Sequence, residues 1–374
     1  MKFLSLLVAA LPLAGIPAIG SAPAGSYIVA VKDSRSATAL TTQYGGSVVR
    51  TYQHALTGFE WRGSAAAARR MAADPAVRYV EPDHEVRVAG VQTPTPSWGL
   101  DRVDQRGVAG DKTYTYPNTG AGVTAYIIDT GIRLSHQDFG GRAVSGVDKV
   151  DNDSDASDCN GHGTFVSGVV GGTTHGVAKQ AKLVGVRVLN CYGSGRWVTV
   201  IAAIDWMIAD HRPGQPAVAN MSLSSGKVQS ANDAVAAAVA DGIVMVVAAG
   251  NDNGADACTR SPASTPAAIS VGATDRTDKR SGFSNVGPCL DLFAPGSAIV
   301  SDWHTADDAR TGGSGTSYAS PHVAGAAALV LNASPSSSPQ QVRDALVAEA
   351  TTGALTSIGV GSPNRLLYIS PKLH

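Results

Sequence analysis

From Val123 onward, short runs of consecutive apolar residues alternate with longer stretches that read as helices. Val123–Ile128, Leu183–Leu189, Val218–Ser222, Ile243–Ala248, Ala268–Val271 and Leu290–Phe293 read as strands buried on both faces. Cys159–Gly171, Thr199–Ala209, Ser230–Ala240 and Tyr318–Leu331 read as helices, the last apolar nearly all round and hence buried. This alternation predicts an α/β fold, a doubly wound, mostly parallel sheet with helices on both faces. Ligands of such sheets bind at the carboxyl ends of strands.

Upstream the pattern changes. Tyr27–Val31 reads as a strand, Ala37–Tyr44 as a short helix and Val48–Trp61 as one or two strands. Ser64–Ala73 reads as a helix stopped by Asp74-Pro75, and Val77–Glu81 as a further strand. About 60 residues in this order suit a small α+β domain preceding the larger one. Ala89–Pro96, small and proline-rich, reads as an extended linker between the two.

Composition bounds what these domains can be. The 374 residues are 44% hydrophobic and 16% charged, enough apolar content for a sizeable core. A formal net charge of −1 gives no electrostatic reason to expect nucleic acid or an anionic membrane as partner. Met1-Lys2 followed by the apolar stretch Phe3–Ala14, then small residues, has the layout of a secretory signal peptide. Pro12 and Gly15 interrupt that stretch, so a membrane anchor is the weaker reading. A secreted chain with four cysteines suggests two disulfides, for which three connectivities are open.

Candidate chemistry sits at the ends of the predicted elements. Ser317, within the glycine-rich run Gly312–Gly325, falls where loop becomes helix, next to unpaired N–H groups and the positive end of the helix dipole. Alone it would more often be an ordinary N-cap. Tyr126-Ile127-Ile128-Asp129-Thr130-Gly131 ends a strand in a carboxylate, and Asn160-Gly161-His162-Gly163-Thr164 sets a histidine among small residues. Val246–Asn251 delivers a side-chain amide after a buried strand, suited to stabilising an oxyanion. The order Asp, His, Ser is the one used by the subtilisin-type triad. An α/β-hydrolase esterase would need a G-x-S-x-G elbow, and the chain has none. His322 reads as a packed helix residue rather than a second base.

At these residues the chain resembles the subtilases (peptidase family S8), within them the proteinase K-like group, and most closely the aqualysin-type enzymes. The resemblance runs from Tyr27 to about Ser370 and includes Ser97–Arg102 and Gly361–Leu367 besides the four blocks above. It implies a secreted serine endopeptidase of broad specificity, preferring an apolar residue before the scissile bond. Ser317 would be the nucleophile, His162 the general base, Asp129 its orienting partner, and Asn251 with the Ser317 N–H the oxyanion site. Gly193, Ser194 and Gly195 would form one substrate rail and Ser222, Leu223 and Ser224 the other. The implied layout is a signal peptide at 1–22, an inhibitory, folding-assisting I9-like propeptide at 23–90 and the catalytic domain at 91–374. The mature protein would start near Val91 after self-cleavage.

The resemblance also implies disulfides Cys159–Cys191 and Cys258–Cys289. It needs no catalytic cofactor but implies structural calcium, at Asp291 with the carbonyls of Pro266 and Ala268, and at Asp101, Asp104 and Gln105. Protein and peptide substrates and the chain's own propeptide are the implied partners of a monomer that binds neither nucleic acid nor membrane. Ser224 departs from the family's usual glycine and would narrow the pocket, whereas Phe165 replaces a usual histidine and is expected to affect packing. Asp151–Asp155 lacks the glycine and final glutamate of an EF-hand and is left as a solvated loop or a third calcium site. Asn152, Asn220 and Asn332 lie in glycosylation acceptor triplets, with Asn220 expected to be inaccessible in its strand. Retention of Asp129, His162, Asn251 and Ser317 weighs against the alternative, a catalytically silent peptide-binding pseudoprotease.

Overall fold

A computed structural model describes residues 25–32, 37–53, 56–83 and 90–371, so the signal segment expected at 1–22 lies outside the described residues. The chain forms two units, divided after Val86.

The first unit contains β1 (Gly25–Val31), α1 (Ala37–Tyr44), β2 (Ser47–Tyr52), β3 (Gly58–Gly63), α2 (Ala65–Ala72) and β4 (Val77–Pro82). Its strands form an antiparallel sheet in the order β2-β3-β1-β4. Val29, Val31, Leu40, Phe59, Trp61, Met71 and Val77 fill its core. Ser64 caps α2 by accepting from the Ala67 N–H at 3.2 Å. The Asp74 carboxylate, accepting from the Ala76 N–H at 2.9 Å, closes the turn after that helix.

In the second unit the sheet strands are β7 (Thr124–Asp129), β8 (Ala143–Asp148), β9 (Lys182–Arg187), β10 (Ala217–Met221), β12 (Val244–Ala248), β14 (Ile269–Thr274), β15 (Leu292–Pro295), β18 (Thr351–Thr352) and β19 (Arg365–Leu366). Short ribbons are made by β5 (Gly90–Gln92) with β6 (Tyr114–Tyr116), β11 (Ser225–Gly226) with β13 (Arg260–Ser261), and β16 (Ile299–Asp302) with β17 (Arg310–Gly313). Among the described residues six α-helices complete it: α3 (Trp98–Val103), α4 (His162–Gly171), α5 (Trp197–Asp210), α6 (Gln229–Ala240), α7 (Thr316–Ala333) and α8 (Pro339–Glu349). The nine-stranded order is β18-β19-β15-β14-β12-β10-β7-β9-β8, and only the β18–β19 pair is antiparallel.

Helices lie on both faces, as the hydrophobic runs required. One core layer packs α4 and α7 against the sheet through Val166, Val170, Val323, Leu329 and Leu331. The other packs α5 and α6 through Val200, Ile204, Met207 and Val235. β7, β10 and β12 are adjacent and parallel, so their carboxyl ends share one edge, and Asp129, Ser222 and Asn251 emerge together.

Three differences from the sequence reading have physical causes. Helix α4 starts at His162 rather than Cys159, because Gly161 holds a left-handed φ of 110° and Asp158 ties up the preceding N–H groups. Part of the expected linker is paired, since Gly90–Gln92 forms β5 against β6. Helix α7 starts at Thr316 rather than Tyr318, so Pro321 lies inside it, five residues after its first. Its missing N–H leaves the Ser317 carbonyl without a helical donor, and the Ser222 hydroxyl donates to that oxygen at 2.8 Å.

Candidate active site

Asp129 ends β7 fully buried, and its Oδ1 accepts from the Thr130 N–H and from His162 Nδ1, each at 2.7 Å. Its Oδ2 is also buried and has no hydrogen-bond partner among the described residues. His162 opens α4 with its ring about a quarter exposed. Burial disfavours its charged form, but the charge and hydrogen bond of Asp129, with the charge of Asp158, outweigh that and raise its pKa. The helix can come this close only because Gly163 has no side chain, as a Cβ there would meet the Gly131 carbonyl at 2.1 Å.

Sequence reasoning missed Asp158. Its carboxylate accepts from the N–H groups of Asn160 and Gly161, from the Thr130 hydroxyl, and from the N–H and hydroxyl of Thr164, at 2.6–2.9 Å. It therefore fastens the loop carrying Asp129 to the first turn of α4. The signal available was an acidic residue just ahead of a helix start.

Ser317 is the second residue of α7 and donates from Oγ to the Ser222 carbonyl at 3.2 Å. Asn251 accepts at Oδ1 from the Thr316 N–H (2.9 Å) and hydroxyl (2.8 Å), which fixes its amide so that Nδ2 is the free end. A buried network of Ser320, Asn220 and Ser222 joins the end of β10 to α7. It occupies both amide atoms of Asn220. Phe165 is buried, with its ring 4.2 Å from that of Tyr318, and so bolts α4 to α7 beside His162 and Ser317.

A cleft of about 590 Å³ runs past His162, between Gly193, Ser194 and Gly195 on one side and Ser222, Leu223 and Ser224 on the other. Beside Ser317 lies a smaller pocket of about 250 Å³, with Ala248, Gly250, Ser224 and Asp252 in its wall. The Ser224 hydroxyl faces Gly250, 3.0 Å from where a Cβ on that residue would stand. Asp252 is held by Arg260 at 3.0 Å and Asn285 at 2.8 Å.

Disulfides join Cys159 to Cys191 and Cys258 to Cys289. The first ties the turn before His162 to the loop that presents Gly193. In the acidic loop, Asp151 pairs with Arg187 at 2.8 Å, and Asp148 pairs with the same guanidinium.

The two expected calcium positions differ. At the first, Arg343 donates to the Pro266 carbonyl at 2.6 Å and pairs with Asp291, while Asp291 Oδ2 accepts from the Ser270 N–H at 2.8 Å. A guanidinium thus holds the Pro266 carbonyl and the Asp291 carboxylate, two of the three groups expected to bind the ion, so Pro266, Ala268 and Asp291 together do not fit calcium. The second position offers oxygens of the kind a hard cation takes, although Asp101 Oδ1 already accepts from the Asp111 and Lys112 N–H groups at 3.1 and 2.8 Å. Asp104 Oδ1 is buried without a partner among the described residues, and Gln105 bridges Asp101 and Asp111 at 3.0 and 2.7 Å. Burial, together with the negative charges of Asp111 and Asp101, pushes the Asp104 carboxyl up to about 6 against a bond from the Thr115 N–H.

Beneath the far end of α4, His175 Nδ1 sits 2.8 Å from Asp302 and 3.3 Å from Asp138, all three buried. Burial opposes charge on His175, but the two carboxylates outweigh it and push its pKa up to about 9. A raised histidine pKa stabilises the fold fully below the ordinary value of 6.5, and that contribution is lost as pH rises through 9. Lys179 nearby is lowered by burial to about 8, so relief of its own penalty sets in only above that pH. Unfolding free energy is therefore expected to fall by about 2 kcal/mol between pH 6.5 and 8, and this slope should flatten in His175→Gln. Denaturant titrations across that range read both proteins, and an equal slope in the variant would refute the assignment.

The family model described as the subtilase family matches residues 120–364, and that of peptidase inhibitor I9 matches residues 26–89. An extracellular serine proteinase of Thermus sp. is 51% identical over 324 residues, covering 87% of this chain and 78% of that protein. Alkaline serine exoprotease A of Vibrio alginolyticus is 48% identical over 330 residues, covering 87% of this chain and 61% of that protein. The crystal structure of a cold adapted subtilisin-like serine proteinase, 48% identical, superimposes with a TM-score of 0.71 over 74% of this chain and 99% of the other.

Proposed function

This chain belongs to the subtilase family, a serine peptidase with an N-terminal I9 domain, and on that premise we propose which residues perform its chemistry. Ser317 is the nucleophile, His162 the general base and then acid, and Asp129 the group that orients the imidazole. What carries this reading is the 2.7 Å bond from His162 Nδ1 to a fully buried Asp129, on the strand edge that also presents Asn251.

The bond fixes the imidazole tautomer with its proton on Nδ1, leaving Nε2 as the base. On substrate binding, Ser317 Oγ exchanges its hydrogen bond to the Ser222 carbonyl for one to Nε2. Apo contacts of this kind commonly tighten only in the complex. Oγ then attacks the scissile carbonyl carbon as its proton passes to Nε2. The oxyanion forms against Asn251 Nδ2 and the Ser317 N–H at the positive end of α7. Collapse expels the amine, which takes the proton from His162, and leaves an acyl-enzyme. Water deprotonated by His162 then releases the acid and regenerates Ser317.

Asn251→Ala is expected to lower kcat by about 10²–10³ with little change in KM, the size seen for this donor in subtilisin itself. Steady-state kinetics on a peptide amide would show it, and a change confined to KM would refute the oxyanion role.

The substrate lies as an added strand between Gly193–Gly195 and Ser222–Ser224. The pocket beside Ser317 accepts small to medium apolar side chains with broad preference. Asp252 does not demand a basic residue, because Arg260 matches its charge. The protein is secreted and extracellular, as the Thermus relative's name describes that enzyme. Its N-terminal unit, within 23–90, is an intramolecular inhibitor removed by self-cleavage near Val91, after a signal peptide at 1–22. Calcium, where present, would be held by Asp101, Asp104 and Gln105, with Asp111 as a further carboxylate, and would brace the loop between α3 and β6.

Intact mass of the secreted protein after exposure to a fluorophosphonate tests the whole reading. One label on Ser317 of a chain starting near Val91 is expected. A folded, shortened chain that takes no label would leave a silent peptide-binding protein instead.

A further inference from the structure

Helix α8 begins with a complete capping box: the Ser338 hydroxyl accepts from the Gln341 N–H at 3.3 Å, and the Gln341 side chain accepts from the Ser338 N–H at 2.8 Å. Pro339 at its first position further fixes the start of the helix. Arg343, one turn in, is thereby aimed at the loop before β14 and the residue before β15. There its two terminal nitrogens divide between the Pro266 carbonyl and the buried Asp291 carboxylate.

We infer that Arg343 is a built-in cation that replaces calcium between Asp291 and Pro266, and that removing it uncovers a latent calcium site there. The inference is independent of the catalytic assignments. Calcium requires six to eight oxygens at 2.3–2.6 Å, whereas a guanidinium needs only acceptors around a planar fork. With a nitrogen 2.6 Å from the Pro266 oxygen, an ion cannot share that oxygen without facing the guanidinium charge at contact distance. The two solutions behave differently. A bound ion stabilises by mass action and leaves when chelated, but a tethered guanidinium is always present and always charged. Removing Arg343 leaves Asp291 buried with a single N–H donor from Ser270 and a bare carbonyl beside it, a paired arrangement of oxygens suited to a hard cation.

Metal analysis of the secreted protein, equilibrated with millimolar calcium and desalted, tests this on wild type, Arg343→Ala, Asp291→Asn and the double variant. Wild type and Asp291→Asn are expected to carry equal calcium. Arg343→Ala should carry one ion more per chain, lost again in the double variant. The melting temperature of Arg343→Ala should gain more from added calcium than that of wild type. Loss of an ion in Asp291→Asn would overturn the inference, as would failure of Arg343→Ala to gain one. Should the variants fail to fold, a calcium-soaked wild-type crystal decides: an ion between Asp291 and Pro266 refutes the proposal, and Arg343 seated there without one supports it.

Discussion

Ser317→Ala is expected to lower kcat for a peptide amide by about 10⁶, the loss known for the corresponding change in subtilisin itself. The alanine removes the only atom that forms the acyl bond, while the N–H at position 317 and Asn251 remain to polarise a bound carbonyl. A residual acceleration of about 10³–10⁴ over water should therefore survive. KM should change little, because Ser317 Oγ is not itself part of a substrate rail, its resting bond to the Ser222 carbonyl being one that substrate binding releases. Expressed with its N-terminal unit, the variant should stay uncleaved near Val91. Retention of more than about a hundredth of wild-type kcat would remove Ser317 from the mechanism.

Asp129→Asn should cost about 10⁴ in kcat with the fold retained. The position is severe for an amide. Oδ1 serves both the Thr130 N–H and His162 Nδ1, so an asparagine oxygen placed there puts its NH₂ where buried Oδ2 now has no partner. The flipped amide turns its NH₂ against the Thr130 N–H and offers His162 a donor, favouring the wrong tautomer. Without the Asp129 charge, burial is left as the main influence on His162, so its pKa should fall below the wild-type value. A pH–kcat/KM profile would show the acidic limb moving to lower pH. A profile that keeps its limb while kcat falls would mean the carboxylate acts by packing alone.

Much of the site was legible because its chemistry demands close backbone approach, and glycine records that in sequence. Gly163 against the Gly131 carbonyl is the physical content of the block around His162. The parallel sheet was legible from continuous apolar runs. Elements with little apolar content, such as the β16–β17 ribbon, offered no such signal. Helix α8 did carry its signature in Ser338-Pro339-Gln340-Gln341, yet its role lies in where Arg343 lands, and Asp291 and Pro266 are 52 and 77 residues away (343 − 291 and 343 − 266). Long-range side-chain placement of that kind has no local period. Asp158, and the bond from Ser222 to the Ser317 carbonyl, escaped for the same reason: each satisfies backbone groups exposed by a turn or a proline visible only once the chain is folded.

The wide spacing of the site along the chain bears on when activity appears. Asp129 and Ser317 are separated by 188 residues (317 − 129), and Asn251 arrives on a strand that must seat between β10 and β14. Parallel pairing of this kind closes long loops before contacts compensate for the lost entropy, which makes assembly slow. A sheet lacking β7 or β12 cannot present Asp129 and Asn251 together. The onset of hydrolysis after refolding is therefore expected to follow the pairing of β7, β10 and β12.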